Sequence, residues 1–436
     1  MKKVNTIKVG MIVLVATLIL TNVSCKKKGC TDPTAINYNQ NAKKDDGSCN
    51  FAPVLNGNVV KSGFISANET WVATEIYELN GKVVVQSGVT LTIEAGTIIK
   101  GSEGTGANAS ALVIAMGGKL NAVGTSSAPI IFTSVLDNIQ KGQLVGTNLS
   151  ETDNGKWGGI IVLGYAPISA LNGDTQSQIE GIPVTDTYGA FGGTNPTDNS
   201  GTLAYISIRH GGALIGAGNE INGLTLGGVG TGTSISNIEV VANLDDGIEF
   251  FGGTVNVSNI VSGFQGDDGL DIDMNYSGTV SEFIVITGNG SDEALEVDGP
   301  EGTTNITGLF TLQNGTTYAY GGADASSEFK SIAQGTITNV QMGLVKIRAS
   351  YQNNCTNPKL DAFTNLTDPS PTLIFSGSQL TGVTVFTGSF DDAGTSPCVV
   401  SATDQAAAQG VMTSVVATGA NATGYSWTWC SIKGKL

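Results

Sequence analysis

One histidine, His210, serves a chain of 436 residues, so no histidine-dependent catalytic triad can be built elsewhere along it. Charge is sparse and one-sided: Asp, Glu, Lys and Arg make up 13% of the residues, with 37 acidic against 21 basic and a formal net charge of −16. A chain this poor in lysine and arginine lacks the basic surface that phosphate backbones need, which argues against nucleic acid as a partner. The six cysteines include no CxxC pair, which argues against structural zinc. The glycine-rich string GLTLGGVGTGT (223–233) has no Walker lysine and no following helix, so it is not a phosphate loop. Beyond Cys25 no apolar run is long enough to cross a bilayer.

What the chain has is glycine, 60 residues of it, and 40% apolar residues rich in Val and Ile. That mixture fits many short strands and tight turns, and it argues against disorder. The stretch from Ser236 to Gly299 sets the beat. An acidic pair recurs in it as Asp245-Asp246, Asp267-Asp268 and Asp292-Glu293, at nearly equal intervals. Each pair follows a β-branched run and precedes a short strand-like run (IEFF, LDID, ALEV), with no helical segment in the period. Such a repeat predicts one coil of a parallel β-helix per period, an all-β solenoid. Equivalent residues on successive coils then stack about 4.8 Å apart, and the acidic pairs form a ladder on one face.

The segment from Met1 to Ser24 reads as a targeting signal. Lys2, Lys3 and Lys8 form a basic start, Gly10 to Leu20 is apolar, and TNVSC follows. The small residues before Cys25 resemble a bacterial lipoprotein cleavage site, which implies lipid on Cys25 and membrane attachment through it; the alternative is an ordinary cleaved signal peptide, and either way the mature protein is exported. Residues 25–50 then hold a lysine tether and the segment CTDPTAINYNQNAKKDDGSC. It resembles a short disulfide-closed module, CTDP…DDGSC, of exported bacterial proteins, and an oxidising compartment lets Cys30 and Cys49 pair. Asn37, Asn39, Asp45 and Asp46 offer oxygen atoms at short spacing for a cation, though Ala42 and Ser48 stand where an EF-hand loop needs Gly and Glu; Asx residues also simply make turns. Of Cys355, Cys398 and Cys430, two can pair, and the sequence leaves open which.

Residues 51–82 read as lead-in strands or an N-terminal cap, 83–351 as the β-helix and 352–436 as a C-terminal cap, with a helix over 404–417 capped by Asp404. Residues 177–201, rich in Gly, Thr and Asn, read as a long loop leaving the stack, where binding residues concentrate. The strings WGGIIVLGYAPI, DNSGTLAYISIRHGG, EINGLTLGGVGTGTSISNIEVVANLDDGIEFFGGTVNV and GDDGLDID resemble a family of exported bacterial β-helix proteins often labelled lipoprotein. The resemblance covers roughly residues 75–390 and implies a right-handed parallel β-helix on an envelope lipoprotein, exported and placed at the outer membrane; it carries over no activity. An acidic pair on a coil belongs to that family's pattern, matched by Asp245-Asp246 and Asp267-Asp268 and departed from at Asp292-Glu293.

Stacked carboxylates repel unless water, cations or protonation relieve them. Asp245, Asp246, Asp267, Asp268, Asp271, Asp292 and Glu293 are therefore candidate Ca²⁺ ligands, and Asp273, Glu296 and Asp298 could extend the set. The alternative is that Asp and Gly stand at coil corners because they make turns, with solvated carboxylates. His210 is expected at a corner, hydrogen-bonded to backbone. Trp157, Tyr188, Phe191 and Tyr318 are candidates for a sugar-stacking platform. Three functions fit: an envelope-anchored module binding a glycan or an envelope protein, with a cation on the ladder; a polysaccharide lyase or glycosidase using carboxylates of adjacent coils; or a purely structural surface protein.

Overall fold

The computed structural model describes residues 27–29, 31, 39–44, 57–214, 220–352, 354–387 and 398–436. Cys25, Cys30, Cys49, Asn37, Asp45 and Asp46 lie outside the described residues. The chain divides into two units at Gly57 and Asn58. In the first, Lys28 and Lys44 form a parallel bridge. There Asn39 Oδ1 accepts the Asn41 N–H at 3.1 Å, as a turn-forming Asx residue does.

In the second unit, 22 strands join into one hydrogen-bonded, parallel-paired sheet, the expected parallel β-helix. Long strands bend at corners, so the sheet winds into three faces. The A face carries residues 63–65 and 82–85, then Ala111–Ile114, Ile160–Leu163, Leu224–Gly227, Ile248–Phe251, Leu270–Asp273, Leu295–Val297 and Ser327–Phe329, then 345–347 and 383–385. The B face includes Glu69–Trp71, Thr90–Ile93 and Lys119–Val123, then 201–204, 234–236 and 257–258. The C face includes 76–79, Ile98–Gly101 and Ile130–Ser134, then 206–209, 238–241 and 260–263. Each coil runs from C to A to B.

Alternation explains the winding. On the A face Val83, Leu112, Ile160, Leu224, Ile248, Leu270 and Leu295 stack in register, and all point into the core. A single coil cannot bury such residues, so the neighbouring coils supply the apolar cover. At the corner between B and C one residue per coil takes a left-handed backbone. Asn237, Asn259, Asn314 and Asn339 fill it on four coils at φ of 53–58°, because asparagine tolerates that region better than other side chains bearing a Cβ, while Tyr205 and Glu282 take the same place at φ 51° and 54°. Two of the asparagines stack, with Asn339 Nδ2 donating to Asn314 Oδ1 at 2.8 Å.

The stack is longer than the expected 83–351. Residues of the lead-in already pair in parallel, Val59 with Tyr77 and Phe64 with Val84, so coils begin at Val59. At the other end Leu373–Ser376 and Gln379–Phe386 still pair in parallel with Gly335–Arg348. The short irregular segments around these strands hid the beat. Two helices cover the C-terminal end. The first, α1 (Ala362–Thr367), starts at Asp361 with a capping box. The second, α2 (Ala402–Val411), is shorter than expected, and Ser401 caps it; Asp404 sits in its first turn. Cys355 and Cys398 are disulfide-bonded, and Cys430 is free and buried. Among the described residues no helix is long and apolar enough to cross a membrane.

The C-terminal segment then runs back along the stack as a strap. Ala420 N bonds Thr316, Asn421 N bonds Glu282, and the Tyr425 hydroxyl donates to Glu282 O at 2.6 Å. Its last helix, α3 (Trp429–Ile432), sits on the C face, where Glu239 accepts the N–H groups of Trp429 and Cys430, each at 2.8 Å.

Candidate functional site

The corner between C and A carries the acidic pairs. Strand register places Asp245 over Asp267 over Asp292, and Asp246 over Asp268 over Glu293, as the spacing implied. The second residue of each pair has a structural duty. Asp246 Oδ1 accepts the Asp268 N–H at 2.9 Å, and Asp268 Oδ1 accepts the Glu293 N–H at 2.7 Å. Each carboxylate thus holds the backbone of the coil beyond it. Glu293 ends the column in an ion pair with Lys346. Asp292 is exposed.

A second acidic column stands beside the first on the A face. Thr225, Glu249, Asp271, Glu296, Glu328 and Lys346 occupy one outward position on successive coils. Glu249 is not among the expected ligands, yet it follows its DDG by two residues, as Asp271 does. The same spacing that revealed the corner pairs carried it. Lys330 lies between Glu296, at 2.6 Å, and Asp298, at 3.8 Å.

Among the described residues, three trios bring carboxylate oxygens within 4.8 Å of one another: Asp245, Asp246 and Asp267; Asp246, Glu249 and Asp271; and Asp271, Glu296 and Asp298. Two oxygens on a Ca²⁺ ion at about 2.4 Å each can be no more than about 4.8 Å apart, so the spacing suits one ion per trio. Of the expected ligands, Asp245, Asp246, Asp267 and Asp271 fall in these trios; Asp268, Asp292 and Glu293 do not. Asp271 Oδ1 and Asp298 Oδ1 are shut from solvent with no hydrogen-bond partner, as is Asn222 Oδ1, which stands at the corner between C and A one coil before Asp246. Asn222 Nδ2 donates to Glu249.

Loss of water dominates the electrostatics, and like charge adds to it. Burial, then Glu180, Asp267 and Glu220, push Asp245 up to about 7. Burial, then the Glu301 charge, raise Asp273 to about 7. Burial, then Asp246, Glu296 and Asp267, push Asp268 up to about 10. Asp246, Glu249 and Asp271 are raised well above the carboxylate range by burial first and neighbouring acids second. Glu180 reaches this cluster from the excursion, a position no repeat could announce; burial, then Asp273 and Glu220, raise it too.

A family model for the pectate-lyase-like beta helix domain matches residues 63–430, most of the chain. The protein belongs to that family. No curated protein and no solved structure matches it. Other residues singled out in this family member are dispersed. His210 does sit at a corner, at φ 61°, with Nδ1 bonded to Asp153 O at 2.7 Å, and it is fully buried. The four aromatic residues do not form a platform. Trp157 is buried against Phe132 and Phe191 against Phe251, while Tyr318 is exposed on the C face. Only Tyr188 lines an open groove, edge-on to Phe64 with ring centroids 5.8 Å apart.

Proposed function

We propose that this pectate-lyase-like β-helix protein is an exported, lipid-anchored module of the cell envelope, attached to the outer membrane through Cys25, that binds an acidic glycan through Ca²⁺ held on its A face. One observation carries the reading. Three cation-sized carboxylate trios overlap on neighbouring coils, and two of their oxygens, on Asp271 and Asp298, are buried without a partner. Such a set is unfavourable as a bare anion cluster, and a hard divalent cation relieves it. Asp246, Glu249 and Asp271 would hold the innermost ion. Asp245 with Asp267, and Glu296 with Asp298, would complete flanking positions. An ion on the outer trio, where Asp267 is exposed, would keep open coordination sites and attract a carboxylate-bearing polymer to a surface that would otherwise repel it.

The family name suggests lyase chemistry as a second reading, with the same ion acidifying a sugar proton. That reading needs an unprotonated base beside the ion. The nearest lysines do not offer one. Burial works against the charge of Lys330, but its bond to Glu296 and the charges of Glu296, Asp298 and Glu328 outweigh it and raise its pKa. Lys346 is likewise raised, its bond to Glu293 outweighing burial. Carboxylates of adjacent coils are the remaining candidates for a base, and those beside the ion would be engaged as its ligands; binding asks for no free base and is the reading preferred.

The test is calcium-dependent retention on immobilised polygalacturonate and alginate. Retention is expected with Ca²⁺, lost in EDTA, and lost in Asp271→Asn together with Glu249→Gln. Equal retention in EDTA would remove the cation from the reading, and release of unsaturated products would favour the lyase.

A further inference from the structure

A second concave site lies on the same A face, nearer the N-terminal end. Phe64, Val84, Val113, Ile161, Thr225 and Glu249 occupy one outward position on six successive coils. The excursion between Leu163 and Gly201 crosses this column in its middle. Its Ile168, Ile179, Ile182 and Phe191 pack onto Val113, Ile161 and Leu163. On one side of that ridge stands Glu180 with the carboxylates. On the other side the excursion leaves a groove of about 620 Å³, walled by Phe64, Tyr165 and Tyr188 with Val84, Ala115 and Met116 beneath. Phe64 is 58% exposed and Tyr165 37%, which is unusual for rings on a face whose other apolar groups are covered.

We propose that this groove is a binding site for a neutral sugar chain. The rest of its lining is Gln86, Ser87, Gln176 and Thr187, so the rim carries amides and hydroxyls that both donate and accept. Aromatic faces beside such groups match a pyranose, whose C–H face stacks on a ring while its hydroxyl edge needs mixed donors and acceptors. The charge also fits. No lining residue is acidic or basic, in a chain of net charge −16, so the site offers an anionic sugar no cation; the nearby Asp186 carboxylate is engaged by the Tyr188 hydroxyl at 3.0 Å and orients it at the rim. Phe64 and Tyr188 already meet edge-on, so part of the platform is formed before any ligand arrives. The site stands apart from the Ca²⁺ reading: five strand spacings, about 24 Å, separate the rungs of Phe64 and Glu249.

The experiment is isothermal titration of the full chain with neutral hexasaccharides (cello-, xylo-, manno- and malto-series) in EDTA, so that the acidic face is out of play. At least one series is expected to bind, with Phe64→Ala and Tyr165→Ala each weakening it about tenfold or more. Phe64→Trp is expected to keep binding and Asp271→Asn to leave it unchanged, and melting curves report folding of every variant. Absence of binding by the whole panel at about 10 mM sugar overturns the proposal. So does binding that both alanine variants leave intact, or binding that appears only with Ca²⁺, which would belong to the acidic face.

Discussion

Removing cations and raising the pH should destabilise this protein, and the carboxylates of the A face and of the corner leading into it set the size of the effect. Asp273 is raised to about 7 and Asp268 to about 10. The folded chain therefore holds protons that the unfolded chain releases near its ordinary pKa of about 3.9. Stability from such a group is fully present below the unfolded value and is lost as pH rises through the folded one. Between about pH 5 and 8 the loss is about 1.4 kcal/mol per pH unit per group while the folded state keeps its proton. Asp268 then accounts for ~4 kcal/mol and Asp273 for ~3, and His210 opposes them. Burial lowers the His210 pKa to about 4, so its neutral form gains stability up to the unfolded value of about 6.5, worth ~2 kcal/mol from pH 5. Halving the net for mutual coupling and solvent screening leaves at least ~2–3 kcal/mol lost, because Asp245 and Glu293, each raised to about 7, and Asp298, raised to about 6, act in the same direction. The folded unit that must melt runs from Asn58 to Leu436. At about 2 cal/mol/K of unfolding entropy for each of its residues, Tm should fall by at least roughly 3 °C from pH 5 to pH 8 in EDTA. Ca²⁺ needs ionised ligands, so its stabilisation should grow over the same interval, reaching ~2.7 kcal/mol when free Ca²⁺ is about 100 times Kd. Differential scanning calorimetry with and without Ca²⁺ reads both slopes. A Tm in EDTA that stays level or climbs between pH 6.5 and 8, where His210 is silent, would refute the reasoning.

Other perturbations act on the scaffold. The Cys355–Cys398 bond closes a loop with a sequence separation of 43. Replacing both cysteines with alanine should cost up to about 4 kcal/mol and expose the C-terminal cap first, as hydrogen exchange would report. Glu239→Ala removes the carboxylate that Ser207, Trp429 N and Cys430 N all share, and leaves Arg209 buried beside the gap. It should cost about 3–5 kcal/mol and make Cys430 react with Ellman's reagent under native conditions, where the wild-type thiol does not. Gly315 stacks in register with Phe283, and a methyl group there would run into the ring. Gly315→Ala should cost about 1–3 kcal/mol by denaturant titration.

The sequence disclosed the winding because a coil repeats its constraint. Every A-face rung needs an inward apolar residue and every corner a residue fit for a turn, so IEFF, LDID and ALEV announced themselves through their common distance from an acidic pair. The same regularity revealed the register of Asp245 on Asp267. Glu249 keeps the same period, and the corner asparagines keep it on four coils and give way at Tyr205 and Glu282, but a single carboxylate or amide per coil stands out less than a doubled acid. Other features carried no period. Glu180 meets the carboxylates because the excursion folds over the sheet, and the pairing of Cys355 with Cys398 depends on how irregular segments close the end. Asp268 and Glu293 have the marks of ligands because they are acidic and in register. The structure instead ties Asp268 to the Glu293 backbone and Glu293 to Lys346, contacts between coils that no one-dimensional spacing encodes.

A solenoid whose coils touch only their neighbours can fray from either end, and the strap changes that in this chain. After capping the last coil, the C-terminal segment returns past Gln341, Thr316 and Glu282 to Glu239, so Trp429 meets a partner 190 residues upstream. Lys433 then reaches Gly146 O and Lys435 reaches Glu151, in the long connection before the Ile160 rung. Coils carrying the acidic columns are thereby clamped from the C face while the excursion holds them from the A face. Rigidity of this kind bears directly on the carboxylates. Asp246, Glu249 and Asp271 cannot move apart to relieve their repulsion without disturbing strand pairs that the strap and the excursion both brace. A loose cluster would simply spread and hydrate. A braced one must take up protons or a cation, and that constraint is what the proposed cation site rests on.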